Sequence, residues 1–444
     1  MIVVESHRRV PRRVVVSAYA CEPEKGSEPG VGWNWVCQIG KRCEVWVITR
    51  NSNRATIEAA LANTPMPNVH FVYFDFPRWA SFWKRGRRGV QSYYYLWQLG
   101  VFFVARKLHR KIHFDLAHHV TFVKYWVPSF LTFLRIPFLW GPVGGGESAP
   151  VRFWFSLSVR GRIYEISRAI ARELAQFDPF LRLTARRAAL ALATTRETEA
   201  RLRGLGCREV LLVPQVALSQ DEITFLKGIP PHHGLPFRVV SVGNLFHLKG
   251  YHLALRAFAQ FHHYFPESEY WLLGDGSERK RLERLARKLG IQQKVVFWGA
   301  MPRASVLEKL THCDVLLHPT LHDSGGWASI EAMAAGRPII CLDLGGTAVQ
   351  VTVATGFKIP PASVSKVIAK MAQALRSLAE DPSLRVTMGK GAQERVSNYF
   401  HWDRKGEDLA EIYERLLHKD ISLLPKLQQT PSPLTDQVGI GARE

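Results

Sequence analysis

Asp323 and Glu331 stand eight positions apart, on either side of Gly325 and Gly326, in the stretch LHDSGGWASIEAMAAGRPIICLD. GWASIEAMAAG consists of good helix formers with Gly336 as a C-terminal stop, and DVLLHPT before it reads as a buried parallel strand. Asp323 therefore falls in the loop after the strand, and Glu331 about one turn into the helix. The two carboxylates do not share a helical face. They bracket the free amides of the helix N-terminus, which the glycines leave open to close approach. Phosphates suit those amides and the positive end of the helix dipole, while carboxylates suit the hydroxyls of a sugar and a ribose. A nucleotide-sugar has both, and Ser324, Gly325, Gly326 and Trp327 are the residues that would line it. The same pattern also fits a plain loop with an Asp cap and a surface Glu, so it needs a partner.

A partner lies about 80 residues earlier, in SVGNLFHLKG from Ser241 to Gly250. Gly243 permits a tight turn, Asn244 follows it, and Lys249 carries a charge able to neutralise a phosphate across a cleft. A Lys-Gly pair alone usually just ends a turn. In the first half, DLAHHV puts His118 and His119 side by side on a predicted strand. Successive strand residues point to opposite faces, so only one of them can face a ligand and the other is a core histidine. Two glycine-rich turns, GSEPGVGW (Gly26 to Trp33) and WGPVGGGE (Trp140 to Glu147), follow predicted strands.

These groups need elements to hold them. The β-branched run from Arg13, then EVWVITR, NVHFVYFDF, DLAHHV, PFLWG, ALATT and EVLLVP, alternate with helix-length segments. After the polar stretch Lys227 to Pro236 the alternation restarts with FRVVSVGNL, YWLLGDG, KVVFWGA, DVLLHPT and PIICLD. This predicts an α/β fold of two Rossmann-like, doubly wound domains, 1–220 and 221–400, with ligands in the interdomain cleft off the carboxyl ends of the strands. The segment from Tyr125 predicts a buried helix before strand PFLW. It is not a membrane span, because Arg135, Pro128, Pro137 and Pro142 interrupt it and a span needs about 20 apolar residues. Leu409, Ile412, Leu416 and Leu417 predict a surface helix within 401–419, packing back on the first domain, and the Pro/Gln/Ser/Thr-rich tail 420–444 predicts disorder.

The chain has 444 residues, 47% hydrophobic and 22% charged, which describes a globular protein of two ordinary domains. The six cysteines are scattered without a CxxC, which points to the reducing cytoplasm and to no zinc site. The opening MIVVESHRRVPRRVVVSAY has no apolar run long enough for a secretory signal, and no transmembrane anchor is expected. A formal charge of +21 asks for anionic partners. From Arg78 to Arg110, and again from Val151, basic and aromatic residues interleave. That suits either the headgroup layer of an anionic membrane or a solvated basic face over an aromatic core. Without a zinc-finger, ribonucleoprotein or heptad pattern, nucleic acid is not an expected partner.

Together, Gly243, Leu245, Lys249 and Gly250, then Gly326, Glu331 and AMAAGRPI from Ala332, resemble the signatures of glycosyltransferase family 4, the retaining group 1 glycosyltransferases of GT-B fold. The order and spacing match, LDLGG (Leu342 to Gly346) is similar to that family's next strand and turn, and the likeness extends to about Lys419. The resemblance implies a hexosyltransferase that moves a sugar from a nucleoside diphosphate donor to an acceptor hydroxyl with retention, without metal or other cofactor. It implies that Lys249 and the amides after Asp323 stabilise the leaving diphosphate, Glu331 holds the ribose, Asp323 the transferred sugar, and His118 or His119 the reacting sugar. Gly243 and Asn244 belong to its donor side. Gly26, Glu28 and Gly30 of the first glycine turn, and Gly144 and Gly145 of the second, belong to its acceptor side. The basic aromatic segments of the first domain suggest docking on the inner face of the cell membrane, where the acceptor would be a growing or lipid-linked glycan, such as a polysaccharide. Three positions depart from the family pattern: Asn244 replaces a phosphate arginine, Asp323 a glutamate, and Gly325 a phenylalanine. Loss of one charge-assisted hydrogen bond to the diphosphate costs about 1.5–3 kcal/mol, unless a neighbouring Arg or Lys substitutes. The rival readings are a non-catalytic nucleotide-sugar-binding subunit, or an epimerase or hydrolase of the same fold.

Overall fold

The computed structural model describes residues 12–418, apart from 81, 84–88, 231 and 233. The tail for which disorder is expected lies outside the described residues.

Two parallel sheets carry the chain. The first orders its strands β3-β2-β1-β4-β5-β6-β7: β1 (Arg13–Ala18), β2 (Glu44–Thr49), β3 (Val69–Tyr73), β4 (Leu116–Thr121), β5 (Phe138–Val143), β6 (Leu190–Ala193) and β7 (Val210–Leu212). The second orders β10-β9-β8-β11-β12-β13: β8 (Phe237–Val242), β9 (Ser268–Leu273), β10 (Val295–Gly299), β11 (Val315–His318), β12 (Ile339–Leu342) and β13 (Gly356–Ile359). β4, β5, β6, β11 and β12 are buried along their whole length, because helices cover both sheet faces, and most of their residues are apolar for that reason. Strand order reverses between β1 and β4 in one sheet and between β8 and β11 in the other, which opens a crevice at each carboxyl edge.

The chain crosses between the lobes twice, at one place. Leu218 N–H donates to Phe400 O at 2.8 Å and Trp402 N–H to Leu218 O at 3.0 Å. Past the first crossing Ser219 closes a capping box on the Gln220–Lys227 helix. Past the second, the Trp402–His418 helix returns to the first lobe. Trp402 meets Trp35 edge-on at 6.2 Å, Lys41 pairs with Asp403 at 2.6 Å, and Tyr413 reaches His118.

Three expectations need correction. The segment from Tyr125 forms only a short 3-10 turn, Phe130–Leu134, before β5. Pro128 lacks a donor before it and Arg135 turns left-handed after it (φ 60°), so no room remains for a helix. GSEPGVGW is not a loop but the start of the Ser27–Gly40 helix, with Gly26 as its N-cap. Pro29 fits there because the first helical N–H groups need no partner. β13 went unforeseen, since GFKI carries a glycine and a lysine among only two apolar residues. Among the described residues no helix is long and apolar enough to cross a membrane.

Candidate functional site

The two crevices face one another across the interlobe cleft. From the lower lobe come the turn after β8 and the loop after β11. Gly243 (φ 136°) leaves β8, and a 3-10 turn His247–Lys249 ends on left-handed Gly250, where any side chain would strike Pro319 O, 2.1 Å from a Cβ. That close approach holds Lys249 beside the β11 loop. Lys249 and Asp323 Oδ2 form an ion pair, and Asp323 Oδ1 accepts the Gly325 N–H at 3.1 Å. Burial is the largest influence and would raise the Asp323 carboxyl, but Lys249, His318 and the Gly325 amide together outweigh it and hold the carboxyl well below the usual carboxylate range.

Gly326 (φ 66°) caps the Trp327–Ala334 helix, whose first amides open into the cleft. The LDLGG turn supports this loop from behind. Gly346 N–H donates to Asp323 O at 2.7 Å, and a Cβ at Gly345 would lie 2.4 Å from the same carbonyl. Glu331 is buried and paired with Arg303 at 2.7 Å, and Arg303 also pairs with Glu222. Burial pushes the Glu331 carboxyl up, and the guanidinium only partly offsets it.

A cavity of about 480 Å³ joins these residues to the upper lobe. Gly243, Asn244, Lys249, Asp323, Ser324, Gly325, Gly326, Trp327 and Glu331 line it from below, and Gly26 and Glu28 from above. Gly30 lines neither cavity; it lies one turn behind, its bare Cα against Lys25 O and the Trp327 ring (1.9 and 3.4 Å from a Cβ). A second cavity of about 700 Å³ adjoins the first and is lined by Glu28, Gly144, Gly145, Lys249, Asp323 and Ser324 among others. Gly144 is where the lobes nearly touch: a Cβ there would meet Ser324 Oγ at 3.0 Å.

The histidine expectation fails. His118 and His119 do point to opposite faces of β4, but each enters a helix layer, inside the strand and not at its carboxyl end. His118 donates from Nε2 to Gly141 O at 2.6 Å and accepts at Nδ1 from Tyr413 at 2.7 Å. His119 Nε2 meets Tyr94 Oη at 2.9 Å and the Gln98 amide at 3.1 Å. Burial lowers them to about 4 and about 3, so both stay neutral. Neither lines either cavity.

The sequence reading missed Arg303, Gln215, Trp126, Lys124 and Arg168, which line the cavities. Arg303 follows β10 at its carboxyl end, the one signal that could have marked it. Among the described residues no group of three or more His, Cys, Asp or Glu is placed to hold a metal ion.

Residues 224–395 match the family model for glycosyl transferases group 1. The lower lobe belongs to the group 1 glycosyltransferases. Curated relatives of this group 1 lobe include the 2-deoxystreptamine glucosyltransferase of Streptomyces kanamyceticus, 27% identical over 192 residues, covering 43% of this chain and 48% of the relative. Another is the D-inositol 3-phosphate glycosyltransferase of Corynebacterium kroppenstedtii, 30% identical over 199 residues and 43% of each chain. The chain thus spans about half the length of the curated relatives it matches. Solved structures extend the likeness to the upper lobe. Sucrose-phosphate synthase from Thermosynechococcus elongatus aligns over 92% of this chain and 100% of its own, at TM-score 0.62 and 18% identity. Anabaena HepE, in complex with UDP and glucose, aligns over 91% and 100%, at TM-score 0.54 and 18% identity. At such identity the likeness is one of fold, and that fold is GT-B.

Proposed function

We propose that the protein is a retaining hexosyltransferase that moves a sugar from a nucleoside diphosphate donor to an acceptor hydroxyl. The observation that carries this reading is the first cavity, where one ammonium, one helix N-terminus and two carboxylates converge under the first turn of the upper lobe's Ser27–Gly40 helix. The diphosphate lies at the Gly326–Ala328 amides and Lys249, the electrostatic term worth most in such a transfer. Glu331 accepts the ribose hydroxyls and Asp323 a hydroxyl of the transferred sugar. No cofactor or metal is required by this arrangement, since the lysine and amides meet the leaving charge. Arg303, at the cavity wall, is the cation that takes the place of the arginine absent at Asn244.

A thermal-shift screen against UDP- and GDP-sugars tests the donor half, because a ligand bound only by the folded state raises the melting temperature. An assay that separates transfer from donor hydrolysis distinguishes this enzyme from an epimerase, a hydrolase or a silent binding subunit. Unshifted melting with every donor defeats the reading.

For the acceptor, one surface favours a glycan borne on the inner leaflet of the cell membrane. The Val159–Ala175 helix exposes Val159, Ile163, Ile166, Ile170 and Leu174 at helical spacing, with Phe155 before it (85% exposed) and Phe177 after it (76%). Exposed Arg152, Arg160 and Arg182 flank this stripe. Aliphatics ringed by arginine suit an anionic bilayer surface. In the Arg78 to Arg110 stretch, by contrast, Tyr93, Tyr94 and Trp97 are core, while Trp79, Phe82 and Phe103 are exposed. Wild-type chain should sediment with anionic vesicles in a salt-sensitive way, and Ile163→Asp with Ile170→Asp should abolish it while leaving donor-induced stabilisation intact. Absence of sedimentation by the wild type counts against a membrane acceptor.

A further inference from the structure

The larger cavity has a charge character that the donor reading does not use. Its far wall is Trp126, with Lys124 Nζ 5.7 Å and the Arg168 guanidinium 5.3 Å from the ring centroid. Both cations are set in place by neutral groups. Lys124, bridged through its backbone to Gly144, donates to Gln91 Oε1 at 3.1 Å. Arg168 donates to the carbonyls of Glu147 (2.8 Å) and Gly145 (3.0 Å). Among the described residues, no carboxylate lies within ion-pair distance of either one.

The acidic groups on the same wall are engaged elsewhere. Asp323 holds Lys249. Glu147 accepts from Thr195 (2.7 Å), Thr198 (3.0 Å) and the Gly145 amide (3.1 Å). Glu28 lines both cavities, at their common border; burial pushes its carboxyl up, and the Lys124 charge, outside ion-pair distance, only partly offsets that. Burial disfavours the charged form of Lys124, the Glu28 carboxylate partly opposes that, and Arg168 adds to it. Two cations are therefore held side by side, partly out of water, with an opening in front of them and no compensating carboxylate in contact.

The placement is built, not incidental. Gly145 (φ 89°) has no side chain because a Cβ would lie 2.6 Å from the Trp126 ring, so the indole packs on bare backbone. Arg172, behind Arg168, is buried and donates to Gly146 O (2.7 Å), Glu147 O (3.1 Å) and the Tyr125 hydroxyl (2.7 Å). The glycine loop is thus stapled to the Val159–Ala175 helix by two guanidinium groups, and the cavity wall keeps its shape.

We infer that this cavity takes an acceptor sugar bearing an anionic substituent, a carboxylate or a phosphate ester, held by Lys124 and Arg168 beside Trp126. The inference rests on the donor reading of the neighbouring cavity. It adds a selectivity that the reading lacks: neutral sugars leave the two cations without an ion-pair contact, whereas an anion supplies one.

The test titrates the full chain, with and without UDP, using methyl glucuronide, glucose 6-phosphate and neutral methyl glucoside, by calorimetry or ligand-observed NMR. At least one anionic probe should bind tenfold or more tightly than the neutral one, and the tighter of the two identifies the anion as carboxylate or phosphate. Lys124→Met should bring the preference below threefold, Lys124→Arg should keep it, and UDP should bind both variants as it binds the wild type. Equal binding of all three probes, or no binding of any, overturns the inference. A tenfold loss of UDP affinity in Lys124→Met also overturns it, since the cations would then serve the donor's diphosphate. An anion preference that persists in a chain unable to bind UDP leaves the cation pair standing and removes the donor reading instead.

Discussion

On the proposed function the Lys249 ammonium has two claimants, the Asp323 carboxylate it already holds and the diphosphate of the donor. An ammonium has three donor hydrogens, so it can serve both. Lys249→Ala therefore removes the proposed phosphate contact and leaves Asp323, half-buried, without its cation. Lys249→Ala and Glu331→Gln should each lower kcat/KM for the donor at least tenfold, about 1.4 kcal/mol; unchanged turnover in both would remove the site assignment. Arg303 makes a sharper prediction. Burial already raises the Glu331 carboxyl, and Arg303 is the group that opposes the rise. Arg303→Gln deletes that opposition, and the carboxylate form that accepts ribose hydroxyls then appears only at higher pH. The acidic limb of the kcat/KM profile should move upward in pH relative to the wild type. A limb that stays put or moves down contradicts the pairing.

At the scale of elements, positions are set by glycines and by one returning helix. Gly326 combines φ 66° with a Gln350 side chain 2.7 Å from where a Cβ would stand. Gly326→Ala should cost about 1–2 kcal/mol from backbone strain alone and blunt donor-induced stabilisation by shifting the helix amides, both readable by thermal denaturation with and without UDP. The Trp402–His418 helix belongs to the upper lobe's core, and Tyr413 gives His118 its second hydrogen bond. Tyr413→Phe leaves a buried ring nitrogen unsatisfied, about 1–3 kcal/mol. The loss should appear as lowered stability with donor affinity unchanged, because His118 lines neither cavity. Lost donor affinity in that variant would restore His118 to the site.

At the scale of the molecule, two lobes joined by adjacent crossings at Leu218 and Phe400 meet again across the cleft. Glu165 of the upper lobe, buried, faces His322 at 3.2 Å and His247 at 3.5 Å in the lower one. Burial alone would raise Glu165, but the two imidazoles outweigh it and bring the carboxyl down to about 2. A depressed folded value means that the stabilisation is fully present above the unfolded value of about 4.3, and is lost as pH falls through the folded one. The stability gap between wild type and Glu165→Gln should therefore be widest near neutral pH and close below about pH 4, followed by chemical denaturation. A gap that widens on acidification would show that the carboxylate is not what joins the lobes.

The fold and the lower-lobe lining of the candidate site were legible because their signals are local. Alternating strands and helices, a Lys-Gly turn, and a glycine step before AMAAGRPI each follow from a few neighbouring residues, and short-range sterics decide them. Adjacent histidines likewise declared that they point to opposite sides of a strand. Which side is open was not local: it depends on a helix nearly 300 residues later whose Tyr413 closes over His118. The fate of GSEPGVGW was equally remote, since its glycines serve close packing against Lys25, Ala20 and Trp327 within a helix, not a loop. Arg303 beside Glu331, and Lys124 with Arg168 around Trp126, come from separate stretches that only folding brings together. Backbone preference is written residue by residue. Charge pairing across a cleft is a property of distance, and distance exists only once both sheets have closed.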